Sequence, residues 1–113
     1  MITRSSFIRA AALSVIALNL ASAHAAEPQV AITIEAHKFT PAEVRVPANQ
    51  RVKLLVLNKD DAPEEFESKA LNVEKVVAPG SRATIFVGPL KPGRYSFVGE
   101  YHESTAQGVL IAE

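Results

Sequence analysis

This chain of 113 residues has no cysteine and no tryptophan, and its one methionine is Met1. The missing cysteine excludes disulfides, a thiolate nucleophile and any thiolate metal ligand. It also excludes a lipid-modified cysteine after a leader. Aromatic residues make up only 6% of the chain and lysines plus arginines equal the acids at twelve each, so no basic surface is offered to nucleic acid. No Gly-x-Ser-x-Gly elbow and no phosphate-binding loop occurs. With no catalytic constellation, the expectation is a binding protein, not an enzyme.

Long apolar runs are also missing, with one short exception. Residues 11–20 (AALSVIALNL) follow Arg4 and Arg9 and precede small residues at Ala21, Ser22, Ala23, Ala25 and Ala26. This order of basic, apolar and small residues is that of a secretory signal peptide. A spanning helix needs about 20 apolar residues, which disfavours a membrane anchor. The expectation is a helical signal peptide over 1–25, cleaved after Ala25 or Ala23, and a periplasmic protein without stable membrane insertion. Cleavage after Ala23 would leave His24 at the N-terminus, where amine and imidazole together could chelate copper. The remaining residues, 26–113, form one domain, with ten basic side chains against twelve acids.

Period-2 patterns dominate that domain. Val30, Ile32 and Ile34 alternate with Ala31, Thr33 and Glu35, and Val44 and Val46 form a second short strand beyond Pro41. Residues 51–58 are apolar on both faces, which predicts a central strand. Residues 73–77, 81–87, 94–98 and 108–112 complete the set, with turn signals at Pro79-Gly80 and Pro92-Gly93. Short strands with turns at this spacing predict an all-β antiparallel sandwich or barrel. Residues 64–70 (EEFESKA) fit either a strand or one helical turn. As a strand with Phe66 inward, Glu65 and Glu67 share the other face. As a helix, Glu64 and Glu67 share a face. Phe39 is expected in the core, and Tyr95, Phe97 and Phe86 as strand packing.

The ordered set Phe39-Thr40-Pro41-Ala42-Glu43-Val44-x-Val46-Pro47, Asn58-x-Asp60, Leu90-x-Pro92-Gly93-x-Tyr95-x-Phe97 and Gly108-x-Leu110 resembles the cupredoxins. The resemblance covers nearly all of residues 26–113 and implies a Greek-key β-sandwich. It also implies where a copper site would lie. The cysteine position falls on Gly99, the following histidine on His102, the methionine on Ala106 and the upstream histidine near Glu64. One of four ligands survives, so a blue-copper centre, which needs the thiolate, is excluded. The side chains around these positions are hard donors: Glu64, Glu65, Glu67 and Glu100 beside His102, with Glu103 nearby. Carboxylates with imidazole suit Fe(II), Mn(II), Zn(II) or Cu(II) rather than Cu(I). Carboxylates crowded together also raise one another's pKa unless a cation lies between them.

A narrower likeness joins Glu65-Phe66-Glu67 with Gly99-Glu100-Tyr101-His102. This pairing is similar to small periplasmic cupredoxin-like proteins of bacterial ferrous-iron uptake systems. The resemblance implies binding of iron or copper in partnership with an inner-membrane iron permease and a periplasmic metal-binding protein. Two alternatives stand beside it: a copper-binding or copper-resistance protein, and an interaction module with a vestigial metal site. His37 is expected as an exposed turn residue or a further ligand. Tyr101 could donate a hydrogen bond or a redox-active phenol. His102 is expected as a ligand, the plainer alternative being a loop histidine hydrogen-bonded to Glu100 or Glu103.

Overall fold

A computed structural model describes residues 27–113; the expected leader, its cleavage positions and His24 lie outside the described residues. Among the described residues there are nine strands, most of which alternate buried and exposed positions as the period-2 pattern requires. They are β1 (Gln29–Glu35), β2 (Lys38–Thr40), β3 (Glu43–Val46), β4 (Val52–Asn58), β5 (Glu64–Ser68), β6 (Val73–Val77), β7 (Arg82–Val87), β8 (Gly93–Gly99) and β9 (Gln107–Ala112). One sheet has the order β2-β1-β4-β7 and the other β3-β9-β8-β5-β6. The expected all-β sandwich is thus present. Its ladders are mixed, however, not wholly antiparallel: β1 pairs with β4 in parallel, and so does β3 with β9. Parallel neighbours far apart in sequence follow when a chain crosses between two sheets instead of turning back on itself.

The core lies between the sheets. Ile32, Ile34, Val52, Leu54, Val56, Ala83, Ile85 and Val87 come from the four-stranded sheet and meet Val44, Val46, Phe66, Phe97, Leu110 and Ala112 of the other. The both-faced apolar pattern of β4 places it inside its sheet, between β1 and β7. Three phenylalanines form a cluster: Phe97 stacks on Phe66 at 4.8 Å and meets Phe39 edge-on at 4.9 Å. Gly108 makes room for it, since a Cβ there would stand 2.3 Å from the Phe97 ring. Phe86 departs from expectation. It is exposed on the outer face of β7, where the Arg51 guanidinium lies 4.0 Å above its ring. Alternation explains this, because Ile85 and Val87 take the inward positions. No helix among the described residues is long and apolar enough to cross a membrane.

The segment left open between strand and helix is strand β5. Its buried positions are Glu64, Phe66 and Ser68, and Glu65 and Glu67 face the other way. The helical alternative fails because β5 is hydrogen-bonded on both sides, to β6 and β8. The loop between β4 and β5 is built on Asn58, which is fully buried. Its Nδ2 donates to the carbonyls of Ala62 (2.8 Å) and Val77 (3.0 Å), and its Oδ1 accepts from the Asp60 N–H at 3.0 Å. Asn58→Ala should therefore destabilise the protein by about 2–3 kcal/mol in chemical denaturation, because it strands buried polar partners.

Candidate metal centre

Glu64 faces inward in the first position of β5 and is 1% exposed. A carboxylate so deep is costly unless its lone pairs meet donors. They do: Oε1 accepts the N–H groups of Tyr101 (3.0 Å) and Glu65 (3.1 Å), and Oε2 lies 2.5 Å from His102 Nδ1. That last contact is the shortest of the three. Among the described residues no buried side-chain nitrogen or oxygen lacks a partner.

The 3-10 turn Glu100–His102 follows β8 directly and delivers both the Tyr101 N–H and the His102 ring to Glu64. It is tied back where the His102 carbonyl accepts the N–H groups of Ala106 (2.8 Å) and Thr105 (3.1 Å). Gly99, at the end of β8, has φ −87° and ψ 103°, which any residue can adopt. Its role is steric. A Cβ there would stand 2.6 Å from the Ala106 Cβ and 2.7 Å from the Glu64 carboxyl carbon. Gly99 and the fully buried Ala106 thus leave the space that Glu64 fills.

A third side chain completes this group. The two-residue turn between β1 and β2 has Ala36 and His37 at φ 53° and 57°, the left-handed pair of a tight hairpin. Neither is the glycine or asparagine such a turn favours. Asp60 holds it instead, accepting the Ala36 N–H at 2.8 Å and the His37 N–H at 3.0 Å. These bonds keep the Asp60 carboxyl below its ordinary range, with the His37 N–H the largest cause. The His37 ring then stacks on His102, with 3.6 Å between centroids and 15° between planes. One donor atom each from His37, Glu64 and His102 lie within 4.8 Å of one another.

The five carboxylate and histidine positions expected from sequence therefore divide. Glu64 and His102 meet. Glu65 and Glu100 lie with Glu74 in a separate acidic group on the outer face of the five-stranded sheet. Glu67 shares that face, directly opposite Glu74 across the β5–β6 ladder. There the Glu100 carboxyl is pushed up to about 7, first by a hydrogen bond to Glu65 and then by desolvation and the charges of Glu65 and Glu67. Tyr101 is half exposed, and its hydroxyl is raised by desolvation and by Glu65. His37, expected from sequence as an exposed turn residue or a further ligand, sits in a turn and also stacks on His102. It is remote from the other two residues in sequence, and the β1–β2 turn carries it to this end of the sandwich.

The inner group offers two imidazole nitrogens and one carboxylate oxygen. That donor set suits Cu(II), Zn(II) or Fe(II) and gives nothing soft for Cu(I). Bonds of about 2.0–2.2 Å from one ion to Glu64 and His102 need these atoms roughly 3 Å apart, a small widening of the observed contact. An ion held by Glu64 and His102 would replace their direct hydrogen bond.

A family model described as a cupredoxin-like domain matches residues 8–112. An uncharacterised protein of Rickettsia prowazekii is 47% identical over 83 residues, which are 74% of this chain and 66% of that one. The chain thus spans about two thirds of that relative's length. Among solved structures, auracyanin A, a blue copper protein of Chloroflexus aurantiacus, aligns with TM-score 0.64 at 13% identity, over 75% of this chain and 98% of its own. The metal-binding domain of a Cu(I)-exporting P-type ATPase of Streptococcus pneumoniae aligns with TM-score 0.64 at 13% identity, over 75% and 84%. A purple cupredoxin of Nitrosopumilus maritimus gives 0.56 at 18% identity, over 77% and 100%. At these identities the structures share the fold with this chain.

Two outcomes follow from the geometry. Gly99→Ala should cost about 1–3 kcal/mol of stability in denaturant titration, all of it steric. The raised Glu100 pKa means that the folded state holds this proton more tightly than the unfolded state does. The stabilisation is present at acid pH and is lost as pH rises through about 7. Glu100→Gln should therefore raise the melting temperature relative to wild type at pH 8 more than at pH 5.

Proposed function

Because the chain belongs to the cupredoxin-like domain family, we propose that it is an exported metal-binding protein that holds an iron or copper ion at Glu64 and His102 and serves iron uptake. The observation that carries this reading is the buried Glu64 carboxylate, set 2.5 Å from His102 Nδ1 in a space cleared by Gly99. A charge buried at that cost, at the end of the fold and facing a second histidine, has the chemistry of a ligand. Glu65, Glu67 and Glu100 stand outside the donor group and supply negative field beside it, which favours a cation there. The bound ion would be cargo or a resident centre with hard and borderline ligands. It would supply Lewis acidity or a single-electron couple; the protein's own groups bind it and shield it.

Iron is favoured over copper by the likeness of Glu65-Phe66-Glu67 and Gly99-Glu100-Tyr101-His102 to the periplasmic components of ferrous-iron uptake. In that setting the protein works beside an inner-membrane iron permease and a periplasmic metal-binding partner. The alternative role in copper binding or resistance draws on the same donors, which hold Cu(II) well.

Calorimetric titration of the exported protein with Fe(II) under anaerobic conditions, and with Cu(II), tests the site. His102→Ala and Glu64→Gln should each weaken binding by more than about the 10–100-fold that outer-shell partners are worth. No binding of either metal at micromolar concentration would remove the reading and leave a docking module with a vestigial site. Growth of a deletion strain in iron-limited medium separates iron from copper: unchanged growth there, with new sensitivity to copper, would favour the copper role.

A further inference from the structure

The donor atoms of His37, Glu64 and His102 are close together, but the two rings do not point at a common place. Imidazole binds a metal through a lone pair in the ring plane. The rings of His37 and His102 are stacked, 3.6 Å apart and 15° from parallel. An ion in the plane of His102 lies about a ring's thickness from the plane of His37, where His37 presents its π face and no lone pair. In this arrangement the two histidines cannot both ligate one ion.

The surroundings decide which ring can move. His102 is fixed by Glu64 at Nδ1 and by the 3-10 turn whose carbonyl accepts from Thr105 and Ala106. Its side chain is 29% exposed. His37 is fixed through its backbone alone: its N–H and that of Ala36 rest on the Asp60 carboxylate. The His37 side chain is 44% exposed, and its Nδ1 stands 3.5 Å from Asp60 Oδ2, beyond ordinary hydrogen-bond length. Rotation about its side-chain torsions leaves the turn and both backbone bonds in place.

We infer that His37 is a swinging ligand. In the metal-free protein it covers His102, and on binding it leaves the stack to complete a donor set of two nitrogens and one oxygen. Asp60 is the positioning residue that keeps the His37 backbone beside the site through the movement. This inference rests on the proposed Glu64–His102 site, and the test separates the two.

His37→Phe keeps a flat ring able to stack and removes the donor, whereas His37→Ala removes both. Cu(II) and Zn(II) serve as probes. The swing predicts that both variants lose Cu(II) affinity to the same extent, on the order of tenfold or more. It predicts two coordinated imidazoles in the electron spin-echo spectrum of wild type with Cu(II) and one in His37→Phe. It also predicts that ring-current shifts of the His37 and His102 ring protons, present in the metal-free protein, collapse when Zn(II) is added. Binding lost in His102→Ala but kept at wild-type strength in His37→Phe overturns the swing alone and makes His37 a cover. Ring-current shifts that persist with Zn(II) bound do the same. Binding untouched by His102→Ala overturns the site itself. Those ring-current shifts in the metal-free protein report the stack whichever result is found.

Discussion

Burying the Glu64 carboxylate imposes conditions that one end of the sandwich is built to meet. The group needs donors, and it needs room. Its donors are two backbone N–H groups and the His102 imidazole, all delivered by strand β5 and the 3-10 turn after β8. Its room comes from the missing side chain of Gly99 at the end of β8 and the small one of Ala106 just before β9. Each of these four positions makes sense only in the presence of the others. A larger residue at 99 displaces the carboxylate, and a carboxylate without His102 is a buried charge lacking its strongest partner.

The histidines reach this point from the two different sheets. His37 arrives on the β1–β2 turn of the four-stranded sheet, and His102 on the β8–β9 connection of the five-stranded sheet. Asn58 and Asp60, at the end of β4, link the halves. Asn58 ties its loop to the Val77 carbonyl of β6, and Asp60 clamps the left-handed turn that carries His37. A metal held between Glu64 and both histidines would cross-link the sandwich, and its binding would then be coupled to stability. The outer acidic face of Glu65, Glu67, Glu74 and Glu100 is a separate feature. It is built from β5, β6 and the first residue of the 3-10 turn, and the group of Glu65, Glu74 and Glu100 includes no histidine.

Most of the strand order was legible from alternation. β1, β3, β4 and β7 show their inward residues every second position, and the both-faced apolar pattern of β4 marks it as interior. The short β2 was not legible, since three residues around Phe39 carry too little periodicity. The parallel pairings of β1 with β4 and β3 with β9 were hidden as well, because alternation is the same in parallel and antiparallel ladders. Phe86 was misplaced for a related reason: an aromatic residue on the outer face of a strand looks like packing until its neighbours claim the core.

At the site, the sequence by itself determined the kind of chemistry. Without cysteine, and with Met1 its only methionine, the domain has no soft sulfur donor, so any ion it held would be a hard or borderline one. Through the cupredoxin resemblance it also led to the expectation that Glu64, Glu65, Glu67, Glu100 and His102 gather near one end of the fold. Only the tertiary structure decided which of them face one another. Strand parity at β5 sends Glu64 inward with Phe66 and leaves Glu65 and Glu67 outside, a choice that an ambiguous acidic segment cannot announce. The steric reason for Gly99 is a contact with a residue of another strand. His37 joins His102 because Asp60 holds an otherwise unfavourable turn in place. Composition is a property of the chain read alone, whereas facing, clearance and stacking are distances between residues remote in sequence, and those exist only once the sheets have packed.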